Sequence, residues 1–146
     1  YDQWFPETIR QMAWMGAEVM ICPTMTSTTD RELELCLARA NAISNQCYVF
    51  NVNVAGMLGN GKSIAVGPDG MVLHQAGSLH EVFPIEIDLN LVRRVRERGT
   101  QGLGQTLKSF RDANIEFPVY QGAAPAGHVA QLNKLRKPDR NKPKLD

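Results

Sequence analysis

The residue pattern predicts an α/β fold, and three observations carry that expectation. From Pro6 to Val54 the chain alternates helix-like and strand-like segments, in the order helix, strand, helix, strand. A strong turn signal, Pro68-Asp69-Gly70, then separates two further strand-like runs. The hydrophobic content of 43% is ordinary for a globular chain, and 146 residues are enough for one compact core. Such an order of elements reads as layered helices and sheet.

Each element has a local reason. Pro6 suits a first helical turn and Glu7 complements the helix dipole there, so a helix runs from Pro6 to about Met15, with Ile9, Met12 and Ala13 on one face. Gly16 stops it. Val19 to Cys22, closed by Pro23, reads as a buried strand. Thr24 to Thr29 is a hydroxyl-rich loop, and Thr29 or Asp30 caps a helix from Arg31 to Asn45. Leu33, Cys36, Leu37, Ala40 and Ile43 recur at helical spacing and are expected to pack against a sheet. Cys47 to Val54 reads as a strand ending near Asn53 and Gly56. Ser63–Val66 and Met71–His74 flank the turn as a hairpin. Val82 to Leu89 alternates like a strand, with Pro84 hinting at an edge, and Asn90 to Arg98 is a short basic helix ended by Gly99.

Charge and cysteine usage exclude several function classes. Residues 1–133 carry 10 Lys+Arg against 13 Asp+Glu, whereas residues 134–146 carry 6 against 2. A nucleic-acid domain shows basic charge on a folded face, so a short Pro/Lys-rich basic tail reads as a solvated terminus. No apolar run approaches the ~20 residues that span a bilayer. Cys22, Cys36 and Cys47 form no CxxC pair and have no His cluster beside them, which argues against a zinc site; each lies in an apolar segment and reads as a buried, inert thiol. An odd cysteine count without a signal peptide fits a reduced, cytoplasmic chain. The missing initiator Met reads as a fragment or processed chain. His74, His80 and His128 read as surface or edge residues. Met12, Met15 and Met20 read as core fillers, and so do Trp4 and Trp14. Arg93, Arg94, Arg96 and Arg98 read as a solvated helix end or a subunit contact.

Four blocks of residues resemble the nitrilase, or carbon–nitrogen hydrolase, superfamily. The first is Tyr1-Asp2 with Phe5-Pro6-Glu7 and Arg10, then Gly16-Ala17-Glu18 and Pro23. The second is Arg39-Ala40-Asn41-Ala42-Ile43-Ser44-Asn45-Gln46 entering a strand with Tyr48-Val49. The third is Asn53 with Gly56, Gly61-Lys62-Ser63 and Pro68-Asp69-Gly70. The fourth is Gly77 with Glu86-Ile87-Asp88-Leu89 and Val92-Arg93. Each is weak alone; four in register are strong. Lys62 and Ser44 depart from the family pattern, which often has His and Glu there.

The resemblance implies an α-β-β-α sandwich that pairs with a second subunit, and a Glu–Lys–Cys triad in which Glu is general base, Cys attacks an amide or nitrile carbon and Lys stabilises the developing charge. The opening residues read as a Cys-Tyr-Asp-x-x-Phe-Pro-Glu motif that starts one residue after its nucleophile, so the chain is expected to lack all three triad members and to be inactive alone. Residues 1–122 would form the C-terminal portion of the hydrolase domain and 123–146 an extended or disordered tail. Tyr1 is expected at the oxyanion hole, and Thr24, Met25 and Asn53 at the substrate. The hairpin Ser63 to His74 is expected in a second layer, away from Tyr1. No cofactor or metal is implied. The expected partners are a small amide and a second copy of the chain. Relatives that act on carboxylate-bearing amides often carry Arg where Gln3 and Trp4 stand, which favours a neutral amide. The alternative is a non-catalytic family member or a fragment serving as a binding or assembly module.

Overall fold

The computed structural model of the chain describes residues 1–135; residues 136–146, which hold much of the basic tail, lie outside the described residues. Two compact units divide the chain, Tyr1–Ala113 and Asn114–Asp146. In the second, the described residues form two 3-10 turns, Pro118–Gln121 and Gly127–Val129, and all of them are exposed. The first unit holds four helices and a four-stranded sheet.

Its elements are α1 (Pro6–Trp14), β1 (Val19–Thr24), α2 (Asp30–Asn45), β2 (Tyr48–Asn53), β3 (Ile64–Val66), β4 (Val72–Gln75), α3 (Leu89–Arg98) and α4 (Thr106–Asp112). The sheet order is β1-β2-β3-β4. β1 and β2 are parallel, in register from Val19↔Tyr48 to Thr24↔Asn53, and α2 is the crossover that a parallel pair requires. β2, β3 and β4 then pair antiparallel. The β3–β4 turn closes at Gly70, whose φ of 84° suits glycine. A Cβ there would lie 2.5 Å from Ile43 Cγ1 of α2.

The hairpin expected in a second layer therefore belongs to the same sheet. The reason is local: β2 has a free edge, and Val49↔Val66 pairing fills it with apolar side chains on the helix-covered face. Ile9 and Ala13 of α1, and Leu35, Ala38 and Ala42 of α2, pack there against Met20, Val49, Ile64 and Val66. The alternate positions point to the other face, where Ile21 is 68% and Val52 49% exposed. β1 is thus an edge strand with one open face, not a buried strand. Pro23 sits within it, as edge strands allow.

The largest departure is the face of α2. Its period is helical as expected, but the buried positions are Arg31, Glu34, Leu35, Ala38, Asn41, Ala42 and Asn45. Of the expected apolar stripe, Leu33, Cys36, Ala40 and Ile43 are exposed and Leu37 half-buried. Small Ala38 and Ala42 let the helix approach the sheet. The polar members are retained because they find partners: Asn41 Nδ2 donates to Gln3 O (3.1 Å) and Asn45 Nδ2 to Asn41 O (2.9 Å). Other apolar side chains are also more exposed than expected. Met15 and Trp14 are exposed, Met12 is exposed and Trp4 half-buried, while Met20 is buried.

No strand forms between Val82 and Asp88. The alternation is real, since Phe83, Ile85 and Ile87 are half-buried between exposed neighbours, but no strand pairs with this extended segment among the described residues. Tyr48 anchors its end: the phenol donates to Asp88 O and accepts from Asp88 N, both at 3.2 Å. Gln46, in the left-handed region at φ 48°, ends α2 and ties it to α3 and α4. Its Nε2 donates to Val95 O (2.6 Å) and Gly104 O (3.1 Å), and its Oε1 accepts from Leu107 N. Arg96 is not simply a solvated helix end: it donates to Gln46 O (3.1 Å) and Ala17 O (2.5 Å), tying α3 to the starts of both parallel strands. No described helix is long and apolar enough to cross a membrane.

Asp88 caps α3 by accepting from Asn90 N at 2.8 Å and pairs with Arg94 at 2.8 Å. The Arg94 hydrogen bond, then the Asn90 amide, hold its carboxyl below the usual range. A depressed carboxyl stabilises the fold above the unfolded pKa of about 3.9 and loses that effect as pH falls through the lower folded value. Asp88→Ala should therefore lower the melting temperature at pH 7, with the difference from the parent shrinking as melts are taken at progressively more acidic pH. A constant difference across that range would show that the cap charge contributes nothing.

Candidate active site

The chain start folds into a 3-10 turn, Asp2–Trp4, closed by Trp4 N donating to Tyr1 O (2.9 Å) and Phe5 N to Asp2 O (3.2 Å). Pro6 then opens α1. The Tyr1 ring lies 6.1 Å from Trp4 and 5.3 Å, edge-on, from Phe5. Gln3 is buried, and its carbonyl is held by Asn41 of α2. The turn is thus fixed from below by α2 and sits beside the C-terminal end of β1.

Two cavities meet at Tyr1, Pro23 and Thr24. One, of about 550 Å³, is lined by Tyr1, Trp4, the segment Pro23 to Thr28, Asp30 and Glu34. The other, of about 300 Å³, runs under Tyr1 and Asp2 between α1 and β1. Tyr1, Thr24 and Met25 are therefore brought together around one space, as the C-terminal edge of a parallel strand pair allows. Met25 is exposed on its wall.

Asn53 lies at the same strand end, opposite Thr24 in register, but faces a neighbouring cavity of about 390 Å³ bordered by Lys62, Ser63 and the loop Leu79 to Phe83. Its amide is fully occupied. Oδ1 accepts from Thr26 N (2.8 Å) and the Thr24 hydroxyl (3.1 Å), and Nδ2 donates to Thr26 O (2.9 Å), Gly61 O (2.8 Å) and Asn60 Oδ1 (3.1 Å). Asn53 N donates to Ser63 Oγ at 3.0 Å. It cross-links the Thr24–Thr28 wall to the Asn60–Ser63 turn. His74 lies on edge strand β4, its ring tilted against Phe83 at 3.8 Å and 2.6 Å from Glu81 Oε1.

Four residues that the sequence pattern does not single out complete the wall. The Thr26 hydroxyl donates to Glu34 Oε1 (2.8 Å), and Glu34 Oε2 pairs with Arg31 at 2.9 Å. Asn60 Nδ2 donates to Thr28 O at 2.9 Å. The available signal was the opposite charge of Arg31 and Glu34 three residues apart at a helix start; the exposed-face convention for such pairs hid it.

Burial makes Cys22 and Cys47 poor nucleophiles. Burial, then Asp2, pushes the Cys22 thiol up. Burial pushes Cys47 up to about 11. Both are mainly protonated at neutral pH, and the thiolate is the reactive form. Cys36 is not buried as expected but exposed, on the outer face of α2. Among the described residues no group of three His, Cys, Asp or Glu side chains could hold a metal.

Because Asn53 satisfies backbone groups of two loops, Asn53→Ala should cost about 1–3 kcal/mol in denaturant unfolding. It should also speed amide exchange at Thr26, whereas His74→Ala should leave that amide unchanged. Equal exchange in both variants would show that Asn53 does not hold the wall.

Comparison with known proteins agrees with this geometry. The family model for carbon–nitrogen hydrolases matches residues 1–97. The chain is 34% identical over 103 residues to omega-amidase NIT3 of Saccharomyces cerevisiae, covering 66% of this chain and 35% of that protein. The crystal structure of S. cerevisiae Nit3, a nitrilase-superfamily member, superposes with a TM-score of 0.62 at 33% identity, over 66% of this chain and 38% of that one. A mutant amidase of Nesterenkonia sp. AN1 in complex with butyramide superposes with a TM-score of 0.51 at 31% identity, over 54% of this chain and 32% of that one. The chain spans from 28% to 43% of the length of the curated relatives it matches. On the sheet, the Tyr1 turn and this match over two thirds of its length, the chain belongs to the carbon–nitrogen hydrolase family.

Proposed function

We propose that this chain forms one side of the active site of an amidase that hydrolyses linear, non-peptide amides through Glu–Lys–Cys chemistry. The observation that carries the reading is the meeting of Tyr1, Thr24 and Met25 around one cavity at the end of β1, in a chain whose first 97 residues match the family. The nucleophile of that chemistry stands immediately before the motif position held by Tyr1. The Tyr1 backbone N–H then supports the oxyanion, beside the start of α1, whose dipole favours negative charge. Thr24 and Met25 line the acyl group. Asn53 acts on the site through Thr24 and Thr26. Gln3 and Trp4 carry uncharged side chains, so neither offers a cation to a substrate carboxylate, and a neutral amide suits the wall. No cofactor enters this chemistry.

None of the chain's own thiols occupies the nucleophile position. Residues 1–146 alone should therefore turn over no member of a panel of linear amides. The same residues in a chain that carries Cys immediately before Tyr1, and the family's Glu and Lys upstream, should hydrolyse them, and removing that Cys should cost several orders of magnitude. Turnover by residues 1–146 that survives replacing Cys22, Cys36 and Cys47 with Ala would overturn the assignment.

The exposed stripe of α2 supports a homo-oligomer as well. Leu33 is 53% and Ile43 43% exposed, with Cys36 and Ala40 between them on the same face. An apolar helix face of this kind favours burial against another copy. Leu33→Glu with Ile43→Lys should shift the protein to a smaller species in sedimentation equilibrium; an unchanged mass would remove α2 from the interface.

A further inference from the structure

We propose that the Arg31–Glu34 pair is the positioning and specificity device of the Tyr1 cavity: it fixes Thr26 in the wall and cancels the charge of Glu34, so that the cavity selects neutral over cationic amides. The proposal rests on the amidase reading above and deepens it to a substrate class.

The chain of contacts runs from the sheet to the cavity. Arg31 is fully buried, at 0% exposure. Its Nη1 donates to Asn51 Oδ1 and to Glu34 Oε2, and its Nη2 to Lys62 O (2.6 Å) and Asn51 O (3.5 Å). Glu34, 5% exposed, borders the cavity and spends its second oxygen on the Thr26 hydroxyl. Thr26 is thereby held at three points, since Asn53 already binds its N–H and C=O. A carboxylate in such a wall would attract an ammonium group strongly, because little water screens it. Arg31 at 2.9 Å removes that attraction. The other carboxylate on the wall, Asp30, is exposed and accepts from the Thr28 hydroxyl, so solvent screens it. The wall is left presenting hydroxyls.

The test uses residues 1–146 and two probes of similar size, butyramide (neutral) and glycinamide (cationic), with binding read from amide shifts of Thr24 to Thr28. The parent should bind butyramide more tightly. Arg31→Met should raise the glycinamide-to-butyramide affinity ratio at least about fivefold, as expected for one uncompensated charge, and the added Glu34→Gln should restore it. Should Arg31→Met fail to fold, Glu34→Gln alone, which leaves Arg31 uncompensated, should move the ratio the opposite way. Thr26→Val, which removes only the hydroxyl link, should weaken butyramide without changing the ratio. Variants that melt like the parent and leave the ratio unmoved would overturn the specificity role. If neither probe perturbs the parent, the amide reading of the cavity fails; amide exchange at Thr28 in Thr26→Val then decides the positioning role, which stands if exchange accelerates and falls if it does not.

Discussion

A set of buried polar side chains on α2 and β2, with Arg31 bonded across to Asn51, is the constraint on which the rest of the structure depends. Arg31, Glu34, Asn41 and Asn45 of the helix and Asn51 and Asn53 of the strand are all nearly or fully buried. Breaking one partner of a buried ion pair typically costs about 3–5 kcal/mol, whereas a packed apolar pair would have served stability equally well. What the polar set adds is direction. Hydrogen bonds fix how α2 is rotated on the sheet, which apolar packing alone would leave less sharply defined.

That rotation has two consequences. It aims Glu34 at the Thr24–Thr28 segment, so the wall of the Tyr1 cavity is braced from the helix, while Asn53 braces it from the strand. It also turns Leu33, Cys36, Ala40 and Ile43 outward. A helix that buries four polar side chains beside Leu35, Ala38 and Ala42, and leaves Leu33, Cys36 and Ile43 exposed, departs from the usual arrangement of a surface helix. The open sheet face, with Ile21 and Val52 exposed, is a second apolar surface on the opposite side. Both are what a layered sandwich with paired subunits would cover.

The far end of the strands is held by different means. Gln46 and Arg96 join α2, β1, β2 and α3 through main-chain carbonyls, and α4 through the Leu107 N–H donating to Gln46 Oε1. Such bonds specify backbone positions and do not depend on neighbouring side-chain identity. The strand starts are thereby fixed by amide and guanidinium donors, and the strand ends by Asn53, so the cavity edge is defined from both directions along the sheet.

The sequence by itself determined the element order from α1 to β4 and the helix α3, because period, Pro6, Gly99 and the Pro68-Asp69-Gly70 turn are local signals. It also determined the family, through motifs that need no partner to be read. Thr24 and Asn53 were legible as neighbours because parallel strands joined by one helix place their ends together; Tyr1 and Met25 were read from the family resemblance. Tertiary structure decided what local signals could not. The face α2 buries depends on Arg31 finding Asn51 and Lys62, 20 and 31 residues away. The role of Asn53 depends on loops that only folding brings to it. Val82 to Asp88 kept a strand's alternation but gained no ladder, because pairing is a property of two segments and periodicity of one.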